Sequence, residues 1–283
     1  TIPTDCPQRN ERMGWTGDIS VFSRAATYIA DVAQFLRRHM LAMRDTQTPD
    51  GRFADVAPLR VGFGGLLWGS AGITVAWESY LQYGDADILE EHYEAKKNYI
   101  SYILLNYIDH DTGLLTQGSA SGGGLGDLLS PEEGKSDKSL LWEAYFIFDL
   151  EIMSKVAAAL NRTEDVKLYS NLYAERKKFF NDTYIDSKTG RMVFSGFNNS
   201  EKGLPVRTQV SYVLPLAFDI VEEDLRQKTE ASFAAMIAGQ RIADDGAVCP
   251  PYSLMTGFIG TAWICKALSE SGHTDIAYRL LQQ

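Results

Sequence analysis

Cysteine, histidine and basic charge are all scarce in this chain, and each scarcity removes a class of function. Cys6, Cys249 and Cys265 are the three cysteines, far apart and without a CxxC pair. A disulfide framework and a structural zinc site are therefore not expected, and the thiols are expected to be half-buried small core residues. The four histidines (His39, His92, His110, His273) show no ligand spacing such as HExxH. No metal and no cofactor is expected, and for the three on or beside helical stripes a surface position is the default. Lys and Arg number 27 against 37 Asp and Glu, a net charge of −10, so no basic stripe exists to meet a nucleic-acid backbone. No apolar run approaches the roughly 18 to 20 residues a membrane span needs, so no membrane partner is expected. A phosphate-binding GxxxxGK[ST] motif is missing, and no strand precedes the glycine clusters, which argues against nucleotides.

What is present is helical period and glycine-rich loop. The 283 residues are 45% apolar, enough for a large core. Between Ile19 and Arg44, the residues Val21, Phe22, Ala25, Ala26, Ile29, Val32, Ala33, Leu36 and Met40 mark the stripe of one long amphipathic helix. Similar stripes run through Leu67–Tyr83, Asp87–Ile108, Ser139–Leu160, Glu164–Tyr184, Val206–Ile220, Glu223–Ala238, Phe258–Leu268 and Asp275–Leu281. That predicts about nine helices and an all-α class. Three junctions, at Gly84-Asp85-Ala86-Asp87, Arg162-Thr163-Glu164-Asp165 and Gly272-His273-Thr274-Asp275, read as tight turns between paired helices. Asp85, Thr163 and Thr274 are their candidate caps. The junctions lie about 78 and 110 residues apart, too uneven for a solenoid of 34 to 47-residue repeats. Four longer loops, Thr46–Gly65, Asp109–Gly134, Asp186–Leu204 and Ala243–Gly257, separate the remaining helices, and loops of that length in a compact domain are usually functional.

Residues 5 to 18 read DCPQRNERMGWTGD. Asp5, Glu11, Asp18, Arg9, Arg12 and Trp15 crowd between Pro7 and two glycines, just before the first helix. Glycosidic hydrolysis uses this vocabulary: one carboxylic acid protonates the leaving oxygen, others hold hydroxyls, and an aromatic covers the apolar side of the ring. The same residues also fit ordinary loop ion pairs, with Asp18 at the start of a helix.

The stretch resembles the signature of glycoside hydrolase family 78, the α-L-rhamnosidases, which usually reads DCPQRDERLGWTGD; Asn10 and Met13 are the two departures. The resemblance continues through Asp50-Gly51-Arg52, Asp55-Val56-Ala57-Pro58, Trp68-Gly69, Tyr83-Gly84-Asp85, Gly126-Asp127, Thr256-Gly257-Phe258-Ile259-Gly260-Thr261 and Ala267-Leu268-Ser269-Glu270. It implies an (α/α)6 barrel, of the six-hairpin glycosidase kind, forming a single catalytic domain over residues 1–283. It implies removal of terminal α-linked L-rhamnose with inversion, from a glycoside or polysaccharide. On the matching positions Glu11 would be the general acid, Asp5 and Asp18 would bind rhamnose hydroxyls, Arg9 would orient these acids, and Trp15 would pack against the sugar. Trp68 and Asp127 are further substrate-binding candidates, Trp68 fitting a plain core aromatic equally well.

The resemblance has gaps. The family's general base is a glutamate in a later motif resembling I-W-E-R-W, and this sequence holds no such motif up to Gln283. A twelve-helix barrel against about nine helical stripes points the same way, so the base and final helices are expected beyond Gln283. Flanking β-sandwich domains, and any targeting segment before Thr1, are likewise expected outside the chain. Ser70 stands where the family usually has Asp, Leu128 where it often has Trp, and Ser253 where it has His. These replacements leave open an altered-specificity or non-catalytic carbohydrate-binding descendant. A homo-oligomer is compatible with the pattern, as is a periplasmic, secreted or cytoplasmic place in a bacterium.

Overall fold

The computed structural model describes residues 12–60, 62, 65–116 and 124–282. The chain divides into two compact units, one of Thr1–Leu125 and Phe148–Ala174, the other of Gly126–Ile147 and Glu175–Gln283.

In the first unit lie α1 (Thr16–Ile29), α2 (Ala33–Thr46), α3 (Leu66–Gly69), α4 (Ala71–Tyr83), α5 (Asp87–Glu91) and α6 (Tyr93–Asn106). Helix α1 buries Thr16, Ile19, Ser20, Ser23, Ala26 and Thr27, a stripe with helical period, and packs on α4. Ser20 and Thr74 join the two by a hydroxyl–hydroxyl bond of 2.8 Å. The continuous helix expected from Ile19 to Arg44 is instead two. Ala30 is extended (φ −150°, ψ 162°), the Asp31 carboxylate accepts the Ala33 amide at 3.2 Å, and the Tyr83 hydroxyl accepts the Val32 amide at 2.9 Å. Both halves keep apolar residues against α4, so the stripe runs on through the break and conceals it. Asp85 caps the next turn as expected, accepting the Asp87 amide at 3.0 Å.

Helix α7 (Lys138–Ala159) and α8 (Thr163–Tyr184) each contribute residues to both units. Residues 140 to 147 of α7 are all buried, and the one charged side chain among them, Glu143, is paired with Arg176 of α8. The second unit continues with α9 (Gln209–Ala217), α10 (Glu223–Ile237), α11 (Phe258–Glu270) and α12 (Thr274–Gln282). Two short antiparallel strands, β1 (Arg241–Ile242) and β2 (Val248–Cys249), pair with Ile242 opposite Val248. The helix expected from Val206 starts three residues later, because the Val206 amide bonds the Met192 carbonyl at 2.8 Å.

Two expectations about scarce residues meet different outcomes. Cys249 and Cys265 are free and half-buried, whereas Cys6 lies outside the described residues. His39 and His92 are not at the surface: they are 0% and 1% exposed, and both ring nitrogens of each are without a hydrogen-bond partner. Burial lowers the His39 pKa to about 4; burial and then the charges of Lys96, Arg44 and Arg37 lower that of His92 to about 3. No helix among the described residues is long and apolar enough to cross a membrane, and they form no cluster fit to hold a metal ion.

Candidate active site

Asp5, Arg9 and Glu11 lie outside the described residues; the segment is described from Arg12 onward. From there the chain lies along residues 55–57. The Gly14 carbonyl accepts the Ala57 amide at 3.0 Å, and the Asp55 carbonyl accepts the Thr16 amide and hydroxyl at 2.9 and 3.0 Å. Trp15 and Val56 form the bridge between them. This pairing fixes where α1 begins. Trp15 occupies the position before the first helical residue and is 9% exposed. Asp18 sits half-buried in the first turn, where the helix dipole favours a carboxylate.

Trp68 is carried on α3 and is 2% exposed. A β-carbon at Gly17 would fall 2.6 Å from its Cε2 atom, so only glycine lets α1 come this close to the indole. The geometry ties Gly17, between Trp15 and Asp18, to the seating of Trp68. Asp55 does a second job at the same place, its Oδ1 accepting the Gly65 amide at 3.1 Å one residue before α3. Neither Gly17 nor Asp55 was among the candidates read from sequence, although both stand inside the quoted stretches.

Ser70, which replaces the expected Asp, is 0% exposed. Its Oγ lies 2.8 Å from the Leu66 carbonyl and 2.6 Å from Asp149 Oδ2 on α7. Asp149 is fully buried, its Oδ1 has no partner, and burial holds its pKa well above the carboxylate range. The hydroxyl has one proton to give. That proton is shared between the two acceptors, the Leu66 carbonyl and Asp149 Oδ2, and the pair of bonds ties α3, which carries Trp68, to Asp149. The sequence signal for Asp149 was a lone acid inside the apolar run Phe146-Ile147-Phe148-Asp149-Leu150.

In the second unit Asp127 is 0% exposed. Its Oδ2 accepts the Gly257 amide at 2.7 Å, and its Oδ1 accepts those of Ile259 and Gly260 at 2.9 and 2.8 Å. These are donors at the opening of α11, so the observed work of Asp127 is to satisfy that helix end. Burial raises its pKa to about 6 against the pull of the three amides. Leu128 is half-buried and gives its carbonyl to the Phe258 amide at 2.8 Å. The Ser253 hydroxyl is spent on the Pro250 carbonyl at 2.8 Å.

The whole chain, residues 1–283, matches the family described as bacterial alpha-L-rhamnosidase 6 hairpin glycosidase domain. It is 34% identical to an alpha-L-rhamnosidase of Streptomyces avermitilis, over 100% of this chain and 24% of the relative. The solved structure of a Streptomyces avermitilis alpha-L-rhamnosidase complexed with L-rhamnose superposes with a TM-score of 0.80 at 32% identity, over 100% of this chain and 24% of that one. That of the alpha-L-rhamnosidase from Dictyoglumus thermophilum gives 0.83 at 30% identity, covering 100% and 30%. The chain thus spans about a quarter of the length of the curated relatives it matches.

Proposed function

Because the chain belongs to the bacterial α-L-rhamnosidase family, as its six-hairpin glycosidase domain, we propose that it carries the proton-donating half of an inverting α-L-rhamnosidase site. In this reading Glu11 protonates the departing glycosidic oxygen. Asp5 and Asp18 hold rhamnose hydroxyls, Arg9 orients the acids, and Trp15 meets the apolar side of the sugar. Trp68 and Asp127 act indirectly, Trp68 by packing beneath the α1 opening and Asp127 by fixing α11.

The observation that carries the reading is the 5–18 stretch, whose described end is anchored on residues 55–57 immediately ahead of α1. A relative solved with L-rhamnose bound supports rhamnose as the sugar. Inversion also needs a carboxylate base roughly 6.5 to 9.5 Å from the acid; we look for it in the family's later glutamate motif.

The test is Glu11→Gln in the full-length protein. Turnover of an alkyl α-L-rhamnoside, a poor leaving group, is expected to fall by about 10²- to 10⁴-fold. Turnover of p-nitrophenyl α-L-rhamnoside should fall less, because that leaving group needs less protonation. Equal turnover by wild type and variant on the alkyl substrate would remove Glu11 from the mechanism.

A second reading, the same chemistry on another deoxy sugar, is favoured by one observation: Leu128, where the family often has Trp, is half-buried and not enclosed in the core. Assays of p-nitrophenyl α-L-rhamnoside beside other aryl glycosides decide it. Activity on another glycoside alone would replace rhamnose.

A further inference from the structure

The second unit contains a cleft of about 270 Å³, walled by the segment 133–138 and the loop 194–200. Its volume sits at the low end for small-molecule sites, suited to one sugar ring and too small for a chain of them. Two half-buried phenylalanines, Phe194 and Phe197, line it. Phe197 is held edge-on against Trp142, with centroids 5.3 Å apart and planes at 77°.

The walls are fixed before any ligand arrives. Asp137 Oδ2 accepts the amide and hydroxyl of Ser195 at 2.7 and 2.8 Å, while its Oδ1 accepts the Ser139 amide at 3.0 Å at the start of α7. One carboxylate thus ties the two walls together. The Ser195 hydroxyl accepts the Phe197 amide at 3.1 Å. On the other wall the Gly134 amide bonds Asp244 Oδ2 at 2.7 Å, and the Lys135 ammonium bonds the Ile242 carbonyl at 2.7 Å.

Against that rigidity stand polar groups with nothing to do. Asn198 is exposed and held in the left-handed region (φ 52°, ψ 40°), which asparagine tolerates. Among the described residues Glu133 forms no ion pair. Flat apolar rings flanked by the Asn198 amide and the Glu133 carboxylate match a neutral pyranose, which has an apolar face and a rim of hydroxyls. Glu133 and Asp137 against the single base Lys138 give the lining an acidic balance, which disfavours an anionic sugar.

We propose that this cleft is an additional carbohydrate site that holds one neutral pyranose unit of a glycan against Phe197. The choice of a glycan rests on the glycosidase reading above; the match to a pyranose rests on the cleft itself. The test is calorimetric titration of the full-length protein with a thio-linked α-L-rhamnosyl disaccharide, which hydrolysis does not consume; the rhamnose site takes this ligand too, so the cleft is read as a second binding event, and the affinities below are those of that event. Phe197→Ala is expected to weaken binding about tenfold, within the range that aromatic contacts contribute. Asn198→Gly keeps the backbone conformation accessible and removes the amide; a loss of about threefold is expected, with a melting temperature near that of wild type. Wild-type affinity in both variants overturns the proposal. Loss of the second event with the first unchanged is read apart from the Glu11→Gln assay, which reports on the rhamnose site alone.

Discussion

A carboxylate at position 70 would meet another carboxyl group, because Ser70 Oγ lies 2.6 Å from Asp149 Oδ2 in a fully buried place. Two acids so close cannot both ionise, and neither reaches water. Ser70→Asp, which restores the residue usual in the family, is therefore expected to cost about 2 to 4 kcal/mol. Combining it with Asp149→Ser should recover most of that, because one acid and one hydroxyl again face each other. Urea unfolding of both single variants and the double variant measures the coupling, and additive losses would show that the two side chains do not interact as described. From sequence alone Ser70 read as a pocket replacement; its burial is a tertiary fact, set by Tyr99 against Gly69 and Phe53 against Gly72, that no local pattern announces. By contrast the 5–18 stretch offers a local signal, twelve of fourteen positions matching one family signature, although Asp5, Arg9 and Glu11 within it lie outside the described residues.

At the scale of elements, helix type and hairpin junctions were legible because they are written locally, in a 3.6-residue stripe and a capping residue such as Asp85. The break between α1 and α2 was not, because the partner that receives the Val32 amide is Tyr83, fifty-one residues away. Asp127 is the corresponding case in the second unit: a candidate ligand by motif, it is placed where it satisfies the opening of α11. Asp127→Ala leaves the amides of Gly257, Ile259 and Gly260 without their acceptor. A loss of about 2 to 4 kcal/mol is expected, since each stranded donor keeps its desolvation penalty. Hydrogen exchange locates the effect. The amides of residues 257–260 should lose protection ahead of those in α9, the helix on which α11 packs. Unchanged protection at 257–260 would mean that the helix end is held by something else.

Stability against pH is a property of the whole molecule, and here two sets of buried groups pull it in opposite directions. Burial raises the pKa of Asp127, Glu132, Asp137, Glu143 and Asp149. A raised acid binds its proton more tightly when folded, so its contribution is present at low pH and is lost as pH rises through the folded value. His39 does the reverse. Its pKa falls from 6.5 to about 4 on folding, so below 6.5 the unfolded chain takes up a proton that the native state refuses. Stability present above pH 6.5 is then lost as pH falls toward 4. Near pH 5 the loss from His39 amounts to about 2 kcal/mol, at 1.36 kcal/mol per pH unit. The acids mask this in the wild-type curve, but a difference between two proteins isolates it. His39→Leu cannot titrate, and it also deletes two buried nitrogens that lack partners. At pH 7.5 the variant is expected to be more stable by about 1 kcal/mol, and at pH 5 by about 2 kcal/mol more. Urea titrations of both proteins at the two pH values supply the comparison; a gap of the same size at each would mean that His39 takes up its proton as readily folded as unfolded.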